Sequence, residues 1–160
     1  DPPSNCLLVS VETANEMYEA VMHHIKDKDI YIGTAAVSDY SPTKSHDSKI
    51  KKDGSKSSMV LELKENRDIL NSVSELKDRP YVVGFAAETD NLIENAKKKL
   101  NNKRLDLIVA NDVSDKNIGF DSDDNEVTLI TQKEQKLLER QNKKKISNKI
   151  IEFISGRIND

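Results

Sequence analysis

Tyr81-Val82-Val83-Gly84-Phe85-Ala86-Ala87 is nearly all apolar. A strand with one wet face would alternate, so this run reads as a strand covered on both sides. A helix is predicted next, over about residues 91–103, and then a second apolar strand over 105–110. Working outward, residues 6–11 and 30–37 read as strands, 59–63 alternates as another, and 127–130 forms one more. Thr13-Ala14-Asn15-Glu16 has capping-box spacing, ahead of Ala14, Met17, Tyr18, Val21 and Ile25 on one helical face. Asn66 is placed to cap a helix with Ile69, Leu70, Val73 and Leu76 inward. The lysine-rich tail from Gln135 ends in a helix that turns Ile146, Ile150, Ile151, Ile154 and Ile158 inward. Alternating strands and helices predict one α/β domain over 1–160, with a mostly parallel sheet and helices on both faces.

Composition sets limits on partners. The chain has 160 residues, 33% charged and 36% hydrophobic, with a formal net charge of −3, so its overall field gives no reason to expect nucleic acid. A lone cysteine, Cys6, excludes an internal disulfide and a four-cysteine zinc site. No apolar run reaches membrane-spanning length and no signal-peptide pattern opens the chain, which makes the cytoplasm the expected compartment and a membrane partner unexpected. Asp1-Pro2-Pro3 runs straight into apolar sequence, as at a cut edge or a processed start.

The five glycines are too dispersed for a phosphate loop or a dinucleotide fingerprint, which argues against a dinucleotide-dependent oxidoreductase. Asp121, Asp123 and Asn125 mimic the start of an EF-hand loop, but Glu126 stands where glycine is required and Gln132 where glutamate is. A solvated acidic loop is the simpler reading there, and no metal-ligand set is assigned. His23-His24 falls on the polar side of its helix without a partner at ligand spacing.

Gly33-Thr34-Ala35-Ala36-Val37-Ser38-Asp39-Tyr40 ends a strand with small residues and sets an aspartate beyond it. Ligands of open α/β sheets bind outside that edge, and small side chains let a ring approach the backbone. A tightly packed strand end with Asp39 as a turn former fits equally well. The polar stretch after it carries Lys44, Lys49-Ile50-Lys51-Lys52 and Lys56, and Ile50 suggests that part of it docks. In the 91–103 helix, Leu92, Ile93, Ala96 and Leu100 form the inward stripe, Lys99 and Lys103 flank it, and Lys97 and Lys98 point away. Two flanking lysines either snorkel or meet an anion. Lys103 lies about 18 Å along the helix from Asn91. Sharing a site with the strand edge would require a late start, a tilt, or a cleft between chains.

In series, Gly33 to Asp39, Lys49-Ile50-Lys51-Lys52, Gly84-Phe85-Ala86-Ala87-Glu88-Thr89, Asp106-Leu107-Ile108-Val109-Ala110-Asn111-Asp112-Val113 and Gly119-Phe120, followed by the acidic run from Asp121 to Asn125 and Thr128-Leu129-Ile130, resemble phosphopantothenoylcysteine synthetase. The resemblance implies a phosphopantothenate–cysteine ligase of coenzyme A synthesis that consumes CTP through an acyl-cytidylate. It also implies a three-layer α/β/α sandwich of Rossmann-like or ribokinase-like type, a homodimer, and small-molecule substrates: CTP, 4′-phosphopantothenate and cysteine. It assigns nucleotide contacts to Gly33, Thr34, Ala35, Asp39, Lys49, Arg67, Asp68, Ile69, Leu70, Phe85, Lys99 and Lys103, and makes Lys49 also the catalytic lysine on a mobile flap over 41–58. Positioned lysines with Mg²⁺ would stabilise charge developing on the transferring phosphoryl group.

Two departures stand out. The family usually has proline where this chain has Arg67, a substitution a helix start tolerates. The glycine-rich strand–loop and asparagine that open the family's domain have no counterpart before Cys6, so these 160 residues alone are expected to be inactive or nearly so. FMN is expected only if a decarboxylase domain lies upstream. A non-catalytic fragment that binds CTP and dimerises is the alternative reading.

Overall fold

The computed structural model describes residues 3–44, 48–51, 58–113 and 122–158. The expectations for Lys52, Gly54, Lys56, Gly119, Phe120 and Asp121, and for parts of the 41–58 segment, lie outside them.

Helix α1 (Ala14–His24) leads into β1 (Ile30–Gly33), a short antiparallel pair β2 (Tyr40–Pro42) and β3 (Leu63–Glu65), then α2 (Ile69–Ser74) and β4 (Tyr81–Glu88). They are followed by α3 (Leu92–Asn102), β5 (Leu107–Asp112), β6 (Asp124–Ile130), β7 (Gln135–Asn142) and α4 (Lys143–Ile158). The main sheet has the order β1-β4-β5-β6-β7. Its β1–β4–β5 part is parallel and β6–β7 is an antiparallel extension.

Three layers result, as expected. Val82 and Val83 point to opposite faces and both are fully buried. On one side Val82, Ala86, Ile108, Ala110 and Ile130 meet Val73 of α2, Ala96 and Leu100 of α3, and Ile25 beyond α1. On the other, Val83, Leu107, Val109, Val127, Leu129 and Leu138 meet Ile146, Ile150, Phe153 and Ile154 of α4. Each of the valine, leucine, isoleucine and phenylalanine side chains contributes about 1.5–3 kcal/mol when fully buried. Where β4 and β5 begin, Arg79 grips Asp106 in a two-pronged pair at 2.6 and 2.9 Å, and Asp106 also accepts the Val82 N–H.

Several expectations are corrected. Residues 6–11 form no strand: Leu7 and Leu8 are 76% and 66% exposed, and no described strand lies alongside to take their hydrogen bonds. Of 59–63 only Leu63 enters a strand, with Met59, Val60 and Leu61 exposed. Strand β1 stops at Gly33 rather than 37, because the chain leaves the sheet there. Strand β5 begins and ends two residues later than predicted, and β6 begins earlier. Strand β7 was unexpected: as an edge strand it buries only Leu138, so its sequence reads as polar. In α4, Phe153 turns inward, whereas Ile151 and Ile158 are 48% and 37% exposed. Asp124 and Asn125 pair with β7 as part of β6, where a solvated acidic loop was expected. The helix cap falls on Asp68, not Asn66.

Gly33 and Gly84 are register partners across β1 and β4. A Cβ at Gly84 would come within 2.9 Å of both Leu105 Cδ1 and Leu70 Cδ2, and one at Gly33 within 3.2 Å of Leu70 Cδ1. Their bareness lets Leu70 press onto the sheet and brings the first turn of α2 down with it. By propensity alone Gly84→Ala should stabilise a strand. Here overpacking prevails, and a loss of about 1–3 kcal/mol is expected. Gly156, in α4 with nothing within 4 Å of its virtual Cβ, is the control. Gly156→Ala should add about 0.5–1 kcal/mol. Thermal unfolding of both variants reads the opposite signs; a stabilised Gly84→Ala would contradict the packing argument.

Candidate nucleotide site

Strand β1 accompanies β4 only from Tyr81 to Gly84, so Phe85 and the residues after it have no β1 neighbour. The sheet is notched at the carboxyl ends of its strands, where open α/β folds hold ligands. A cavity of about 640 Å³ fills the notch. Its walls are the stretch from Gly33 to Tyr40, the entry to α2 from Glu65 to Leu70, Phe85 and Ala87 of β4, and Lys99 and Lys103 from α3. Every residue named for nucleotide contact lines it except Lys49.

Lys103 reaches the notch within one chain, and without a late helix start. Helix α3 starts at Leu92, folds back along β4, and returns the chain to Leu105, which lies against Gly84. Lys99 and Lys103 are half-buried while Lys97 and Lys98 are exposed, as the helical spacing predicts. Lys98 pairs with Glu94 at 2.7 Å.

Three successive side chains at the α2 entry take hold of three different walls. Asn66 donates from Nδ2 to the Ser38 carbonyl at 2.9 Å, accepts from Ser41 Oγ at 2.8 Å, and donates its backbone N–H to Asp39 O at 2.7 Å. Arg67 lies over the Tyr18 ring of α1, 4.2 Å from its centroid, and meets Glu19 at 3.1 Å. Asp68 caps α2 through the Asn71 N–H and pairs with Lys103 Nζ at 2.6 Å. Burial pushes the Asp68 carboxyl up, but the Lys103 hydrogen bond, the Asn71 N–H and the charges of Lys103 and Lys99 outweigh it and hold the group below the usual carboxylate range. Tyr31, beneath, has its phenol raised by burial and by the Asp68 charge.

Lys49 and Ile50 are exposed, and Ile50, at 54%, does not dock as its apolar character suggested. Sequence reasoning missed Met17 and Tyr31 as lining residues. Tyr31 was findable: two positions before Gly33 in a strand, it shares that residue's face. A second hollow of about 610 Å³, between β7 and α4, gathers none of the assigned residues. Among the described residues no group of His, Cys, Asp and Glu is arranged to hold a metal, and no helix is long and apolar enough to cross a membrane.

Residues 1–157 match the family described as DNA/pantothenate metabolism flavoprotein, C-terminal domain. The chain belongs to this family. It is 42% identical over 153 residues to the coenzyme A biosynthesis bifunctional protein CoaBC of Vibrio vulnificus strain YJ016, covering 95% of this chain and 38% of that protein. Identity to the CoaBC of Escherichia coli K12 is 42% over 154 residues, with the same coverage. To that of Bacillus subtilis 168 it is 47% over 123 residues, 76% of this chain and 30% of that protein. The chain thus spans well under half the length of these relatives. A crystal structure of the CoaBC C-terminal domain superposes with a TM-score of 0.80 at 36% identity, covering all of this chain and 70% of that one. The DNA/pantothenate metabolism flavoprotein from Streptococcus pneumoniae shares the fold, with a TM-score of 0.79 at 22% identity over 98% of this chain and 76% of that one.

Proposed function

We propose that this chain is the nucleotide-holding part of a phosphopantothenate–cysteine ligase that activates 4′-phosphopantothenate with CTP. One observation carries the reading: the strand-end residues, the α2 entry, Phe85 and the two α3 lysines line one cavity at the carboxyl edge of the sheet. In this reading the small residues Gly33 to Ala36 admit the base and sugar, and Lys99 and Lys103 meet phosphates. The substrate carboxylate attacks the α-phosphorus, releasing pyrophosphate and forming the acyl-cytidylate. The cysteine amine then attacks the acyl carbon and CMP leaves. Mg²⁺ would arrive with the phosphates and supply further charge neutralisation. Asp39 suits such a hard cation: it lines the cavity and makes no ion pair among the described residues, whereas Asp68 is committed to Lys103. A homodimer belongs to the same reading, and the exposed Met59-Val60-Leu61 run is surface that an assembly would cover.

The test is pyrophosphate release by the natural protein that contains this chain, given CTP, phosphopantothenate and cysteine. Release that depends on phosphopantothenate is expected. Protein that binds CTP yet releases none would overturn the ligase reading and favour a binding module.

A further inference from the structure

The wall from Thr34 to Asp39 poses a mechanical problem. It has left the sheet, its residues Thr34, Ala35 and Ala36 are exposed, and side chains this small bury too little surface to fix a backbone. Both carbonyls at its far end, those of Ser38 and Asp39, are nevertheless held by one residue across the cavity mouth. That residue is Asn66, which also accepts from Ser41 Oγ. Its amide thus gives and takes at once, a fit available to asparagine and not to its isostere aspartate, whose ionised side chain only accepts. The neighbouring β2–β3 ladder, with Tyr40 opposite Glu65, delivers Asn66 to this position.

We propose that Asn66 is a positioning residue of the nucleotide site: it fastens the Ser38–Ser41 wall to the α2 entry and so fixes the width of the cavity mouth. The role rests on the proposed nucleotide reading for its ligand, but the fastening itself can be tested without one. It also explains why Asn66, a good cap by type, does not cap α2. Its side chain is engaged across the cavity and Asp68 takes the cap instead.

The experiment compares the full chain with Asn66→Ala, Asn66→Asp and Ser41→Ala, by CTP calorimetry and by hydrogen exchange of the amides of Asn66, which donates to the Asp39 carbonyl, and of Thr43, which donates to Glu62 across the same ladder. Removing the side-chain bonds of Asn66 should weaken CTP binding about tenfold. Ser41→Ala, which removes one hydroxyl and leaves the fold intact, should weaken it about threefold. Asn66→Asp, though the same shape, should fail to rescue at neutral pH because it cannot donate to Ser38. Exchange should accelerate at residues 43 and 66 in all three variants and stay at the parent rate in β4 and β5. Parent-like exchange at residues 43 and 66, or Asn66→Asp binding CTP as the parent does, overturns the proposal. Should the parent itself bind no CTP, the nucleotide reading fails, and the exchange data alone then decide the fastening.

Discussion

Lys49→Ala should lower turnover about 10²–10³-fold, the loss typical of removing one group that stabilises transition-state charge. CTP affinity should hardly change. Lys49 is exposed and does not line the cavity, so its charge plays little part in holding the ground-state nucleotide. It can act only if its segment closes over the bound substrates, the role proposed for 41–58. Such closure would bring a cation to the phosphoryl group in transit and exclude water from an acyl-cytidylate that water could hydrolyse. An interaction made only in the transition state lowers kcat and kcat/KM together. Steady-state kinetics on the natural protein separate the cases. A raised KM for CTP at unchanged kcat would place Lys49 among the binding residues and refute the closing role.

Lys99→Ala and Lys103→Ala should each weaken CTP binding by tenfold to a hundredfold. A charge-assisted bond to phosphate contributes about 1.5–3 kcal/mol, and every 1.4 kcal/mol is about tenfold in affinity. The Lys103 change should be the larger. It removes a cation and also leaves the Asp68 carboxylate, now paired at 2.6 Å, facing the incoming phosphates alone. Lys103 is the first of the groups pulling the Asp68 pKa down, so that carboxyl should titrate higher in Lys103→Ala, a shift carbon NMR detects without any ligand. If both variants bind CTP like the parent while Asp68 still shifts, Lys103 is a structural partner of the α2 cap and the two lysines merely flank a solvated groove.

What the sequence revealed follows burial. Strands β4 and β5 and the stripe Ala96–Leu100 were legible because both faces of the sheet are covered there, and apolar residues have no other reason to run so continuously. Strand β7 was hidden because an edge strand carrying Lys136, Glu139 and Arg140 differs little from a charged tail. Residues 6–11 erred in the opposite direction: apolar residues predict a strand only where a partner exists, and pairing is a long-range property that a local pattern does not contain. The α2 cap turned on the same point. Asn66 and Asp68 are equally good caps by type, and the choice was made by Ser38 and Ser41, more than twenty positions away in the chain. In the site, the strand-end residues and the two lysines singled out by type line one cavity. The approach of Lys103 was not foreseen because the first sheet strand was expected to run to residue 37, whereas β1 ends at Gly33 and β4 continues to Glu88.

The central claim is that the notch between β1, α2 and α3 holds a cytidine nucleotide. Isothermal titration of this chain with CTP and, separately, ATP, each with Mg²⁺, tests it most directly. Saturable heat with CTP is predicted, abolished or strongly reduced in the Lys99→Ala, Lys103→Ala double variant, with ATP binding more weakly. No heat from either nucleotide, on protein whose amide exchange shows β4 and β5 folded, would contradict it.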